Sequence, residues 1–126
     1  MNVVDSSGWL AYFADTATAD FFAPAVEAVP DLVVPAITLY EVFKRVLGER
    51  GEDDALRAVA QMSQGQIIDV DATLALNAAR LSLIHRLPMA DSLILATARR
   101  FDATLWTQDA DFEELENVRY VSARSV

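Results

Sequence analysis

The chain has 126 residues, 53% of them hydrophobic, and no cysteine. That is the size of one globular domain with a working core; disorder is excluded by the apolar content, and disulfides and thiolate metal sites by the missing cysteines. Nineteen acidic residues against ten basic ones leave a formal net charge of −9, which argues against a broad basic nucleic-acid surface and favours cations or a basic partner. The N-terminus carries no basic region followed by a long apolar run, and no uncharged apolar stretch reaches about 18 residues, the length that would span a membrane. A soluble, cytoplasmic protein is expected.

Residues 2–5 form a short apolar run ending in an acid, read as a buried first strand. Ser6 and Ser7 are placed to cap a helix over residues 9–13, and residues 15–28 read as a second helix. A β-branched run at 32–34, stopped by Pro35, is the second strand. Leu39, Val42, Phe43, Val46 and Leu47 then recur at helical spacing, predicting an amphipathic helix over 36–47. Residues 53–62 predict another helix, 66–70 a third strand, and 71–86 a long alanine-rich helix. Pro88 opens a helix to about Phe101. A fourth strand over 103–107, a short helix over 109–115 and a fifth strand over 119–121 complete the pattern. Strands alternating with helices predict a mostly parallel sheet covered on both faces.

Four acids fall at element ends. Asp5 closes the first strand and Asp109 follows the fourth; Glu41 and Asp91 lie near helix starts. In open parallel sheets ligands collect beyond the carboxyl ends of the strands, and right-handed crossovers put those ends on one edge. Each acid also has a plain structural reading. Asp5 and Asp109 suit helix caps, and Asp91 suits a helix dipole. Glu41 completes a capping-box pattern with Thr38 and stands four residues before Arg45. As a set, carboxylates crowded at one edge raise one another's pKa, and a hard divalent cation relieves them. With one histidine, His85, and no thiolate, oxygen-loving magnesium suits the chain better than zinc.

These acids come with recognisable flanks. The strand ending Val-Val-Asp5-Ser-Ser resembles the opening of PIN domains, and Ile37-Thr-Leu-Tyr-Glu41-Val their second acidic motif. The run His85-Arg-Leu-Pro-Met-Ala-Asp91-Ser-Leu-Ile-Leu-Ala-Thr-Ala is similar to the third motif of VapC-class toxins, and Leu105-Trp-Thr107-Gln-Asp109-Ala-Asp111-Phe112 resembles the fourth. Four motifs in order cover essentially the whole chain. The resemblance implies a PIN-like three-layer α/β/α sandwich with a sheet of about five strands. It implies RNA cleavage dependent on magnesium or manganese. Asp5, Glu41, Asp91 and Asp109 carry over as the acidic cluster, with Asp111, Thr107 and Ser6 in support. It also implies a homodimer, and a small antitoxin that blocks the site in a toxin–antitoxin hetero-oligomer. Lys44, Arg45, Arg80, Arg86, Arg99 and Arg100 are the residues available for a local basic rim to the RNA path.

Other classes fit less well. Aspartyl-phosphate phosphatases want a second acid two residues after the first, where Ser7 stands, and a lysine from a later motif; Lys44, the only lysine, lies in the wrong segment. Phospho-receiver domains need a lysine after a late strand, and none follows Val121. A binding module of the same fold without turnover remains the alternative that intact acids alone do not separate from an enzyme.

Overall fold

In a computed structural model, residues 1–123 are described. Five strands form one sheet: β1 (Asn2–Val4), β2 (Leu32–Pro35), β3 (Gln66–Ile68), β4 (Thr104–Thr107) and β5 (Val118–Tyr120). Their spatial order is β3-β2-β1-β4-β5, and every pairing is parallel. The sheet is thus wholly parallel where a mostly parallel one was expected. Among the described residues six α-helices cover it: α1 (Ser6–Phe13), α2 (Ala19–Glu27), α3 (Ala36–Arg50), α4 (Glu52–Met62), α5 (Ala72–His85) and α6 (Met89–Arg100).

The strand order dictates the layers. From β1 the chain steps outward to β2 and then β3, then returns past β1 to β4. Right-handed crossovers therefore put α1 to α4 on one face and α5 with α6 on the other. The strands alternate accordingly. Val4, Val34 and Trp106 pack in a core with Trp9, Phe22, Val42 and Met62. Their neighbours Val3, Val33 and Leu105 pack on the opposite side with Ile94, Leu95 and Phe112. A sheet buried on both faces explains why these strands read as continuous apolar runs.

Several boundaries differ from the sequence expectations. Asp5 caps α1, as one of its two readings had it, its side chain accepting from the Gly8 N–H; Ser6 and Ser7, expected as caps, both belong to the helix. Gly8 itself leaves no room for a side chain, since a Cβ there would lie 2.6 Å from the Phe22 ring and 2.7 Å from Val4. The second helix starts at Ala19 instead of residue 15, because Asp15 takes a left-handed conformation, φ 51°, and ends the preceding turn. Helix α3 runs three residues beyond Leu47, through Gly48, until Gly51 at φ 90° breaks it. Strand β3 stops at Ile68 because Asp71 is already committed to capping α5, accepting from the Leu74 N–H. The expected helix over 109–115 is only a 3-10 turn, Ala110–Phe112. No helix among the described residues is long and apolar enough to cross a membrane.

Candidate active site

The sheet order reverses between β1 and β4, which makes their carboxyl ends the switch point where ligands of such folds sit. Val4 is in register with Trp106, and the Asp5 N–H continues the ladder to the Trp106 carbonyl at 3.1 Å. Asp5 and Thr107 are therefore neighbours. The Thr107 hydroxyl donates to Asp5 Oδ2 at 2.6 Å, and the Ser7 hydroxyl and Gly8 N–H reach Oδ1 at 2.8 and 2.9 Å. Thr107 Oγ1 in turn accepts from the Asp109 N–H at 2.8 Å. Asp109 Oδ1 accepts from the Asp111 N–H at 2.9 Å, which caps the 3-10 turn. One relay of short hydrogen bonds thus ties the end of β1 to the loop after β4.

Asp91 enters from α6, in its first turn. One oxygen each from Asp91, Asp109 and Asp111 lie within 4.8 Å of one another; the first two residues are half-buried and the third exposed. Glu41 projects from α3, and its carboxylate accepts from the Ser6 hydroxyl at 2.6 Å. The capping-box reading of Thr38 and Glu41 does not hold. Helix α3 begins at Ala36, and the Thr38 hydroxyl donates to the Pro35 carbonyl at 2.7 Å. Arg45 pairs with Glu49, not Glu41, at 2.6 Å.

The electrostatics follow from this crowding. Burial pushes the Asp5 carboxyl up to about 6, with the charge of Asp109 adding to it, although the bonds from Thr107, Gly8 and Ser7 pull the other way. Asp91 is pushed up to about 7, by burial first and then by the charges of Asp109, Asp5, Glu41 and Asp111. Among the described residues no lysine or arginine forms an ion pair with any of these five acids; the pairs present are Arg45–Glu49, Arg57–Asp54 and Arg100–Asp71. A donor set of carboxylates alone, mutually repelling and without protein cations, fits a hard divalent metal ion. It does not fit zinc, which favours nitrogen and sulfur donors.

The structure thus brings Asp91, Asp109 and Asp111 into one cluster. It sets Asp5 beside them with much of its hydrogen-bonding capacity taken up internally, and Glu41 within electrostatic reach. Asp111, expected only in support, belongs to the same cluster as Asp91 and Asp109. Ser7 and Gln108 have roles that the sequence reading missed. Ser7, expected as a cap, contacts both Asp5 oxygens through its hydroxyl, at 2.8 and 2.9 Å. Gln108 accepts from the Thr18 hydroxyl at 2.7 Å and anchors the loop between Thr107 and Asp109. The only signal for Ser7 was a hydroxyl two residues after an acid, and Thr18 stands 90 residues from Gln108.

The expected basic rim is not one surface. Lys44 sits over the Tyr40 ring, 5.6 Å from its centroid. Arg45 lines a cavity with residues of α1 and α4, whereas Arg80, Arg99 and Arg100 line another between α5 and α6. The two cavities lie on opposite layers because the crossovers place their helices on opposite faces of the sheet.

Solved structures share this architecture. A toxin–antitoxin complex from Klebsiella pneumoniae matches with a TM-score of 0.80 and 24% identity, covering 100% of both chains. VapC20 of Mycobacterium tuberculosis, described as a sarcin–ricin loop cleaving toxin, matches with a TM-score of 0.77 and 19% identity over 92% of this chain and 95% of that one. VapBC2 from Rickettsia felis, bound to a DNA fragment from its promoter, matches with a TM-score of 0.74 and 17% identity over 96% and 97%. No curated protein matches the sequence. The model of the PIN domain matches residues 3–118, so the chain belongs to the PIN domain family.

Proposed function

We propose that this chain is a metal-dependent endoribonuclease that hydrolyses RNA phosphodiester bonds and acts as the toxin of a toxin–antitoxin pair. The observation that carries the reading is the convergence of Asp91, Asp109 and Asp111 at the β1–β4 switch point, with no lysine or arginine among the described residues in an ion pair with them. Membership of the PIN domain family and the fold shared with toxin structures support it. We read residues 1–126 as one such domain, working in the cytoplasm as a homodimer until a small antitoxin blocks the site.

Asp91, Asp109 and Asp111 would hold magnesium or manganese, with Asp5 and Glu41 completing the acidic wall. When bound, such an ion supplies Lewis-acid polarisation of the phosphodiester and charge relief at the leaving oxygen. The remaining work belongs to the chain. Thr107 and Ser7 hold Asp5 in one orientation, and Ser6 holds Glu41. The Asp109 N–H bond to Thr107 fixes the loop that presents Asp109 and Asp111. Fixed carboxylates of this kind orient the attacking water without reorganising during the reaction. The Asp91 carboxyl, near 7 in the cation-free protein, would give up its proton on taking the ion, so metal binding at neutral pH should release protons. His85, the last residue of α5, is given no role.

The test is single-turnover cleavage of a panel of structured RNAs by antitoxin-free protein, with magnesium or manganese and with EDTA as control. Cleavage that EDTA abolishes is expected. Cleavage that resists EDTA belongs to another site or a contaminant. No cleavage with any metal leaves a PIN-fold binding module.

A further inference from the structure

The groove between α5 and α6 stands apart on this acidic protein. It has a volume of about 410 Å³, and Arg80, Arg99 and Arg100 line it over a floor that includes Leu81 and Ala96. Three of the ten basic residues of the chain thus meet in one place. No acid lines the groove among the described residues. The nearest counter-charge shown is Asp71, which takes Arg100 in a bidentate pair at 2.9 and 3.0 Å. Arg80 is steadied by Asn77 Oδ1 at 2.9 Å. Arg99 is exposed, and its guanidinium has no ion pair or hydrogen bond among the described residues. Asp71 therefore fixes one guanidinium at the rim, and two more keep their charge available.

We infer that this α5–α6 groove is an anion site outside the acidic cluster, and that its occupant is the phosphodiester backbone of the RNA substrate. The occupant rests on the nuclease reading above; the charge and shape of the groove do not. The placement fits a strand leaving the acidic site. Asp91 and Arg99 stand on one helix, eight residues apart, or about 12 Å along its axis. At about 3.4 Å of rise per nucleotide in a helical strand, that distance is roughly three to four nucleotides. Two guanidinium groups without an ion pair, those of Arg80 and Arg99, can each neutralise a phosphate, and arginine's planar fork suits that contact. The acidic face repels polyanion generally, so a short basic track beside it would set where RNA can approach and from which side.

The test is the double variant Arg80→Gln/Arg99→Gln, which leaves the Arg100–Asp71 pair in place. Arg57→Gln, on the opposite layer, is the control. Equilibrium binding of a fluorescent single-stranded RNA about 12 nucleotides long would be measured in EDTA over a range of salt, so that no cleavage is needed. Two lost phosphate contacts should reduce the slope of log affinity against log salt by about 1.4. With metal present, KM for the long RNA should rise roughly tenfold with kcat nearly unchanged. An RNA too short to reach the groove, about two or three nucleotides, should be cut equally by both proteins. If wild type binds through these arginines but cuts nothing, the anion site stands and the nuclease reading fails. Unchanged affinity and salt slope in the double variant would overturn the site, even if wild type cuts RNA. A changed oligomeric state in the double variant, with RNA binding intact, would also overturn it and make the groove a protein interface.

Discussion

Two aspartates at the starts of consecutive helices meet opposite fates. Asp71 caps α5, and Asp91 lies in the first turn of α6. Both stand at a helix N-terminus, whose partial positive charge favours a carboxylate. Arg100 and the Leu74 N–H hold the Asp71 carboxyl down at about 2. Burial and four neighbouring acids push Asp91 up to about 7. The helix dipole is common to both and so does not decide the outcome; desolvation and the sign of the nearest charge do. The difference separates an acid already satisfied by its own protein from one with no counter-charge among the described residues.

The largest expected effect separates the two by activity. Asp91→Asn should lower single-turnover RNA cleavage on the order of a hundredfold or more, since losing one of several carboxylates acting together costs several kcal/mol of barrier. RNA binding should be largely kept. At saturating RNA, where contacts in the α5–α6 groove no longer limit the rate, Asp71→Asn should cleave almost as wild type. Equal cleavage by the two variants would erase the distinction.

Metal should distinguish them next. Millimolar magnesium or manganese should raise the melting temperature at neutral pH, with about 2.7 kcal/mol gained at a hundred times Kd. Asp91→Asn should blunt that rise and Asp71→Asn should keep it. The Asp91→Asn protein should also be at least as stable as wild type without metal, because it loses a repelled charge. A sharp loss of metal-free stability there would mean that Asp91 is structural.

The pH profile sharpens the contrast further. Asp91 near 7 and Asp5 near 6 bind protons more tightly folded than at the ordinary value of 3.8. Their penalty on the folded state is absent below about 3.8, grows as pH rises, and is complete above about 7. Metal-free stability should therefore carry a component that falls from pH 4 to pH 7, and Asp91→Asn should flatten it. Asp71 contributes with the opposite sign. Its stabilisation is whole above about 3.8 and is lost as pH falls toward 2. Urea midpoints measured across pH 3 to 8 would separate the two slopes.

The smallest effect concerns Asp71 itself, an exposed partner in an exposed pair. Asp71→Ala should lower the melting temperature slightly, and Asp71→Asn by less, because asparagine still caps a helix. High salt should narrow the gap between wild type and Asp71→Asn. A gap that persists unchanged in salt would assign the residue's contribution to the cap alone.

Much of this could be read along the chain. Periodicity reports the buried face of each element, so Leu39, Val42, Phe43 and Val46 announced α3, and the apolar runs at Val3–Val4 and Val33–Val34 announced strands buried on both sides. Asp5 and Asp109 could be placed at one edge because parallel strands share a direction. The Asp5 cap was legible as one reading of that residue, whereas boundaries failed where a single residue redirected the backbone, as when left-handed Asp15 delayed α2.

Local sequence determined the five strands, six of the seven expected helices and the acids at their ends, because hydrophobic spacing and turn chemistry act between near neighbours. Tertiary structure alone decided which side chains meet. The order β3-β2-β1-β4-β5 set Thr107 against Asp5 across 102 residues and Ser6 against Glu41 across 35. It also sent Arg45 to one face and Arg80, Arg99 and Arg100 to the other. Distances between elements depend on the order and handedness of the crossovers, and no spacing along the chain encodes them.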